Sequence, residues 1–258
     1  MNTSESVRPA TEIKRIQHTE AMRLTAAENA RLLDLLQLID PDDWGRPTDC
    51  TGWTVRDVVV HLIASAQAQA NPVEFLWQVR SGRPLTAEIG GDHWVDGLNE
   101  ARLRARTQWR TDDLPALWEQ HSAAALRART RMPAPVRALP VLPIGTPLGV
   151  DLGWKPLGYL FGIGFTRDTW MHRVDLSRAT GVALQPTADH DGRIVEDILA
   201  EWSQLHEQPF SLDLQGPAGG RFEGRSGAAT ISVDAIEYAR ILSGRADGDG
   251  VLANKLPL

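Results

Sequence analysis

Apolar positions along the chain recur mostly at spacings of three and four. Leu32, Leu35, Leu36 and Ile39 follow this period and predict a helix from Thr11 to Ile39. The stretch "DPDDWGRPTDCTG" then stops it with proline and glycine. A second helix is predicted to open at Thr54. Thr54 and Asp57 fit the Ser/Thr-x-x-Asp/Glu start pattern, in which each side chain satisfies a backbone N–H that has no partner within the helix. Val55, Val58, Val59, Leu62, Ile63 and Ala66 make its apolar stripe. At 100° per residue His61 lies roughly 130° from the centre of that stripe. Its flank carries Asp57, Ala64, Ser65 and Ala68, so His61 faces either solvent or a second, roomier space beside the core.

A third helical region is predicted from about Trp94 to Arg131, broken near "TDDLP". Residues 132–155 hold Pro133, Pro135, Pro140, Pro143 and Pro147 and read as an irregular connection. Pro156 suits the first position of a fourth helix ending near Thr180, with Gly181 just beyond its end. Four long helices, with few strand signals before residue 205, predict a helix bundle. After a fifth helix at about 188–207 the pattern changes. "FSLDLQG" alternates as a strand does, "GPAGGRFEGRSG" supplies turns, "ATISV" is a second strand, and Asp234 with Glu237 can cap "AIEYARILSGR". The expected architecture is mainly α: a bundle over residues 1–187 and a small α+β domain over 188–258. Residues 1–10 are polar and are expected to fray.

Composition narrows the function classes. The 258 residues carry 27 basic and 33 acidic side chains, a formal charge of −6. That argues against a nucleic acid or an anionic membrane as partner, since both need a basic surface. Arg102, Arg104, Arg106 and Arg110 form a basic run that Asp112, Asp113 and Glu119 offset, and the run reads as a solvated helix face. Cys50 is the only cysteine, which precludes an intrachain disulfide and fits a reducing compartment. The N-terminal stretch has no apolar signal core, and no apolar run reaches the length of a membrane span. A cytoplasmic protein, monomeric or homodimeric, is expected.

The candidate chemistry lies in "FTRDTWMHRVDLSRATG". Asp168 and His172 are four residues apart and project from one helix face. Such a pair can bind one metal ion, or can be a hydrogen bond or ion pair on the surface. With His61 from a facing helix the set becomes two nitrogens and one oxygen with positions to spare, the composition of a catalytic zinc site. Asp175 can orient the His172 ring, or can pair with Arg178 on its own helix.

Several segments carry a specific likeness. "PTDCTGWTVRDVVVHL", "RSGRPLTAEIGGDHWVDGLNEAR", "TPLG" and "RDTWMHRVDLSRATG" resemble the mycothiol-dependent maleylpyruvate isomerase family, whose bundle belongs to the DinB-like metal-binding type. "ATISVDAIEYARILSGRADGDG" resembles the small sterol-carrier-like domain that follows that bundle. The resemblance implies a divalent metal, usually zinc, held at the positions of His61, Asp168 and His172. Where the family usually has glutamate, this chain has the shorter Asp168. The resemblance further implies mycothiol or a related thiol as cofactor, activated as thiolate, and a small electrophile as substrate. In the isomerase reaction the thiolate adds to a double bond, the new single bond rotates, and elimination follows. In an S-transferase the thiol stays attached.

It also suggests an arginine from the C-terminal domain at the cleft, for which Arg240 and Arg245 are the catalytic candidates. Arg83 and Asn99 are weaker candidates for contacting substrate or thiol. Of the tryptophans near the motifs, Trp53, Trp94 or Trp170 could wall a pocket. Cys50 reads as structural, since nothing near it in sequence marks it as activated. Two other readings use the same residues: a metal-dependent hydrolase, and a binding module that has lost its metal.

Overall fold

In this computed structural model, which describes residues 7–140, 148, 150–225 and 227–258, the helices that start at Val55, Pro72, Trp94 and Ala235 each have a side chain that accepts from one of their first amides. The described chain divides into two units, Gln17–Ala183 and a second formed by the N-terminal segment up to Ile16 with Leu184–Leu258.

The first unit holds α1 (His18–Leu36), α2 (Val55–Ala70), α3 (Pro72–Glu88), α4 (Trp94–Arg104), α5 (Leu114–Arg131) and α6 (Phe165–Thr180). The start predicted at Thr54 is formed: the Asp57 amide donates to Thr54 Oγ1 at 3.3 Å and the Thr54 amide to Asp57 Oδ2 at 3.0 Å. Helix α6 ends as expected, with Gly181 left-handed at φ 77°. Pro156 stands just before the first helical turn rather than inside it.

Helices α1, α2, α5 and α6 pack on one another as a four-helix bundle. Its core joins Leu32, Leu35 and Leu36 to the predicted α2 stripe, with Leu114, Trp118 and Leu176. A buried Arg173–Glu28 pair, with nitrogen–oxygen distances of 2.6 and 3.1 Å, ties α6 to α1. Arg129 of α5 donates to the Phe161 and Gly162 carbonyls at 2.7 and 2.5 Å. These lie in a widened helical turn, Leu160–Gly164, that leads into α6. A widened turn leaves carbonyls without helical partners, and the guanidinium satisfies them.

No apolar period marks residues 72–93 as an element, yet α3 lies there. Its start is the Asn71–Pro72 pair: Asn71 Oδ1 accepts from the Val73 amide at 2.9 Å, and proline fills the first position. Helices α3 and α4 meet backbone to backbone. A Cβ on Gly97 would lie 2.3 Å from the Gly82 carbonyl oxygen, and one on Gly82 2.6 Å from Leu98 Cα. Gly97→Ala is therefore expected to wedge the two helices apart and destabilise this unit by about 1–3 kcal/mol. Urea unfolding checks this; an unchanged midpoint would contradict the close crossing.

In the second unit a four-stranded sheet has the order β1-β3-β2-β4, with β1 (Arg8–Pro9), β2 (Phe210–Gln215), β3 (Gly220–Gly224) and β4 (Thr230–Asp234). Strand β2 runs antiparallel to β3 and parallel to β4. Its Phe210, Leu212 and Leu214 are buried with Ile198, Leu199 and Trp202 of α7 (Arg193–Leu205) and Tyr238 of α8 (Ala235–Leu242). Asp234 Oδ1 caps α8 as predicted, accepting from the Ile236 and Glu237 amides.

Two expectations are corrected here. "GGRFEG", read as turn, contains β3. Residues Arg8–Pro9, expected to fray, pair parallel with β3; Arg8 bridges Glu196 and lies 5.1 Å over the Phe222 ring. The frayed stretch's residues 1–6, most of "TPLG", and Pro143 and Pro147 lie outside the described residues. No helix is long and apolar enough to cross a membrane among the described residues.

Candidate metal centre

Because α2 starts at Thr54, His61 falls on the helix flank away from the main stripe, and that flank faces α6. His61 is 5% exposed and His172 7%. His61 therefore faces α6 and not solvent. His61 Nε2 lies 3.7 Å from Asp168 Oδ2, and His172 Nε2 lies 3.6 Å from Asp168 Oδ1. The donor atoms of His61, Asp168 and His172 all fall within 4.8 Å of one another. The α6 pair is thus turned inward, although the Asp168 side chain keeps 28% exposure.

Asp175 pairs with His172 and not with Arg178. Its Oδ2 is 2.9 Å from His172 Nδ1, while Arg178 bonds instead to Asp49 at 2.8 Å. An acceptor at Nδ1 holds a ring proton there, so Nε2 is the nitrogen that gives up its proton to an ion shared with His61 and Asp168. Trp53 closes one side: its ring centroid is 5.0 Å from that of His61 and 6.2 Å from that of His172. Trp94 is 44% exposed and Trp170 is fully buried.

Two features escaped the sequence reading. Arg102, taken for part of a solvated face, is buried, as is Arg106. Arg102 donates to Gln78 Oε1 at 2.8 Å and to Asn99 Oδ1 at 3.1 Å, and its Nη1 lies 3.5 Å from His61 Nδ1. Arg106 is held by Gln67 and by Glu74 at 2.6 Å. Only Arg104 and Arg110 of the run are exposed. The arginines of the run sit on two faces, and the inner face was readable only once α3 was known to cover it. The second feature is Cys50, whose Sγ is 3.3 Å from Asp175 Oδ2 and 3.7 Å from His172 Nδ1. More than 120 positions separate these residues, and no local signal reveals the approach.

Of the weaker candidates, Asn99 reaches the cluster through Arg102, whereas Arg83 is exposed on α3. Arg240 and Arg245 belong to the second unit. There Arg240 is buried and donates to Glu237 Oε2 and to the Arg245 carbonyl, the latter at 3.3 Å.

The cluster polarises its histidines in opposite senses. Burial pulls His61 down to about 4, with Asp168 opposing and Arg102 assisting. At His172 burial acts in the same direction but is outweighed by the Cys50 sulfur, Asp175 and Asp168, which lift it to about 10. Burial would raise Asp168, yet the close His61, His172 and Arg102 hold it at about 2.

A divalent ion fits these residues. His61 Nε2 is a buried nitrogen with no hydrogen-bond partner, aimed at the other two donors. Nitrogen and oxygen donors on one tetrahedral zinc stand about 3.3–3.6 Å apart, given bonds of about 2.0–2.2 Å. Metal entry must expel the His172 proton, whereas His61 is already neutral above about 4. Affinity is therefore expected to rise with pH toward about 10, with about one proton released per ion at neutral pH. Calorimetry of zinc binding in buffers of different ionisation enthalpy measures that proton; no release would contradict the charge assignment.

The family model described as the mycothiol maleylpyruvate isomerase N-terminal domain matches residues 25–177, which include His61, Asp168, His172 and Asp175. Among solved structures, the chain is similar to that of the mycothiol-dependent maleylpyruvate isomerase, at 20% identity over 94% of each chain with a TM-score of 0.59. It is also similar to a histidine-to-alanine mutant of that enzyme, at 18% identity over 93% of each chain and again a TM-score of 0.59. At such identities the likeness is one of fold. No curated protein matches.

Proposed function

The chain belongs to the mycothiol maleylpyruvate isomerase family, and on that premise we propose that it is a metal-dependent enzyme using mycothiol or a related thiol to isomerise a small electrophile or transfer sulfur onto it. The observation that carries this reading is the inward-facing triad of His61, Asp168 and His172, with His61 Nε2 buried and unbonded.

These three residues would hold the ion, and two imidazoles and a carboxylate with a coordination position to spare suit zinc. A divalent ion there supplies Lewis acidity that keeps an incoming thiol as its thiolate, the nucleophilic form. The remaining work falls to the chain. Asp175 keeps the His172 proton on Nδ1 and the ring in register. Trp53 covers both imidazoles and excludes water from that side. Arg102, fixed by Gln78 and Asn99, places a permanent positive charge beside His61, where a carboxylate of the electrophile gains most from it. A thiol held there would supply reversible addition to an activated double bond, or displacement where the electrophile carries a leaving group, while Arg102 and Trp53 would hold the electrophile in place.

Asp168 is one methylene shorter than the family's usual glutamate, and its 28% exposure leaves it room to move. Asp168→Glu is expected to retain metal and activity, whereas Asp168→Ala loses both. The reading is tested by zinc-loaded protein assayed on maleylpyruvate and on model electrophiles, with and without mycothiol. Turnover that requires both metal and thiol is expected. Metal-dependent turnover without thiol would assign a hydrolase, and absence of metal binding would assign a binding module.

A further inference from the structure

His172 belongs to two ligand groups. Its Nε2 edge faces His61 and Asp168, and its Nδ1 edge faces Cys50 and Asp175. On the second edge the separations are 2.9 Å from Nδ1 to Asp175 Oδ2, 3.3 Å from Sγ to Asp175 Oδ2, and 3.7 Å from Sγ to Nδ1. Those spacings bracket the ones a single tetrahedral ion imposes on its donors, about 3.3–3.6 Å. The donors are a sulfur, an imidazole and a carboxylate, a set that favours thiophilic divalent ions over hard ones. Asp175 is fully buried and Cys50 is partly exposed, so the group has a fixed floor and an entry from solvent.

We propose that Cys50, His172 and Asp175 form a second cation site, selective for thiophilic divalent ions such as cadmium. A neutral imidazole has one lone pair and one N–H. An ion on Nδ1 therefore leaves a neutral ring whose one proton sits on Nε2 and points at Asp168, 3.6 Å away. The two sites are alternatives: one ring serves one ion. Resting on the reading of His61, Asp168 and His172 as the metal centre, the second site is an inhibitory one, in which a soft ion takes His172 from behind and empties the first. Binding there replaces the Asp175–His172 hydrogen bond, and the Nδ1 proton and any proton on the Cys50 sulfur pass to solvent.

The experiment is a cadmium titration of the full chain, following the ultraviolet thiolate-to-cadmium charge-transfer band and, in zinc-loaded protein, the release of zinc. A band saturating near one cadmium per chain, with zinc released in parallel, is expected. Cys50→Ser should abolish the band. The double variant His61→Ala/Asp168→Asn should keep it, because it lacks only the other edge's ligands. Asp175→Asn should weaken the band's apparent affinity about tenfold or more. No band in the wild type, or a band indifferent to Asp175→Asn, overturns the site. Cadmium bound through sulfur while zinc stays in place overturns the exclusion. The double variant separates this from the proposed function: its band reports the Cys50 edge whether or not the wild type turns over any electrophile.

Discussion

Alanine at His172 is expected to lower zinc affinity by at least 10²-fold and to abolish thiol-dependent turnover while the helical dichroism stays unchanged. Losing a ligand costs more than losing the partner that orients one, which itself costs about 10–100-fold. The fold tolerates the change because His172 is not part of the apolar stripes that make the bundle core. Some stability is lost, since Asp175 is fully buried and gives up its hydrogen bond at 2.9 Å. That loss is about 1–3 kcal/mol. Metal content by elemental analysis and turnover at saturating thiol check the expectation. Near-normal turnover in this variant would rule out the metal–thiolate chemistry.

Glu28→Ala carries the largest expected effect on stability. Glu28 and Arg173 are almost completely buried and joined by two nitrogen–oxygen contacts of 2.6 and 3.1 Å. Removing the carboxylate leaves a guanidinium in the bundle interior, at a cost of about 3–5 kcal/mol. For a unit of this size that lowers Tm by roughly 6–20 °C. The double change Glu28→Leu/Arg173→Met should recover most of the loss, because an apolar pair of similar volume needs no charge compensation. Arg173 follows His172 directly, so the same pair sets the rotation of α6 that points Asp168 and His172 inward. Glu28→Ala is accordingly expected to weaken zinc binding as well, although neither residue is itself a ligand of the ion. Thermal unfolding of the single and double variants, followed by zinc titration, separates the two effects.

The local part of this molecule was legible in the sequence. The Thr54 start, the off-stripe angle of His61, the four-residue spacing of Asp168 and His172 and the end at Gly181 all follow from helical period and capping chemistry. The rest depends on contacts between distant parts of the chain. Cys50 gains its neighbours from α6, and Arg8–Pro9 finds a partner strand more than two hundred positions away. Helix α3 was missed for a different reason. Val73, Leu76 and Trp77 sit on its exposed side, so the apolar period of this segment does not mark a buried face, and Pro84 lies within the helix. Missing α3 also hid the burial of Arg102, whose partner Gln78 is an α3 residue. A basic run in sequence reads as solvated until the element that covers it is known.

Anomalous diffraction at the zinc absorption edge, from crystals of the zinc-loaded protein, tests the central claim most directly. The expected result is a single strong peak within bonding distance, about 2.0–2.2 Å, of His61 Nε2, His172 Nε2 and an Asp168 oxygen. A peak elsewhere, or none between these three side chains at saturating zinc, would contradict it.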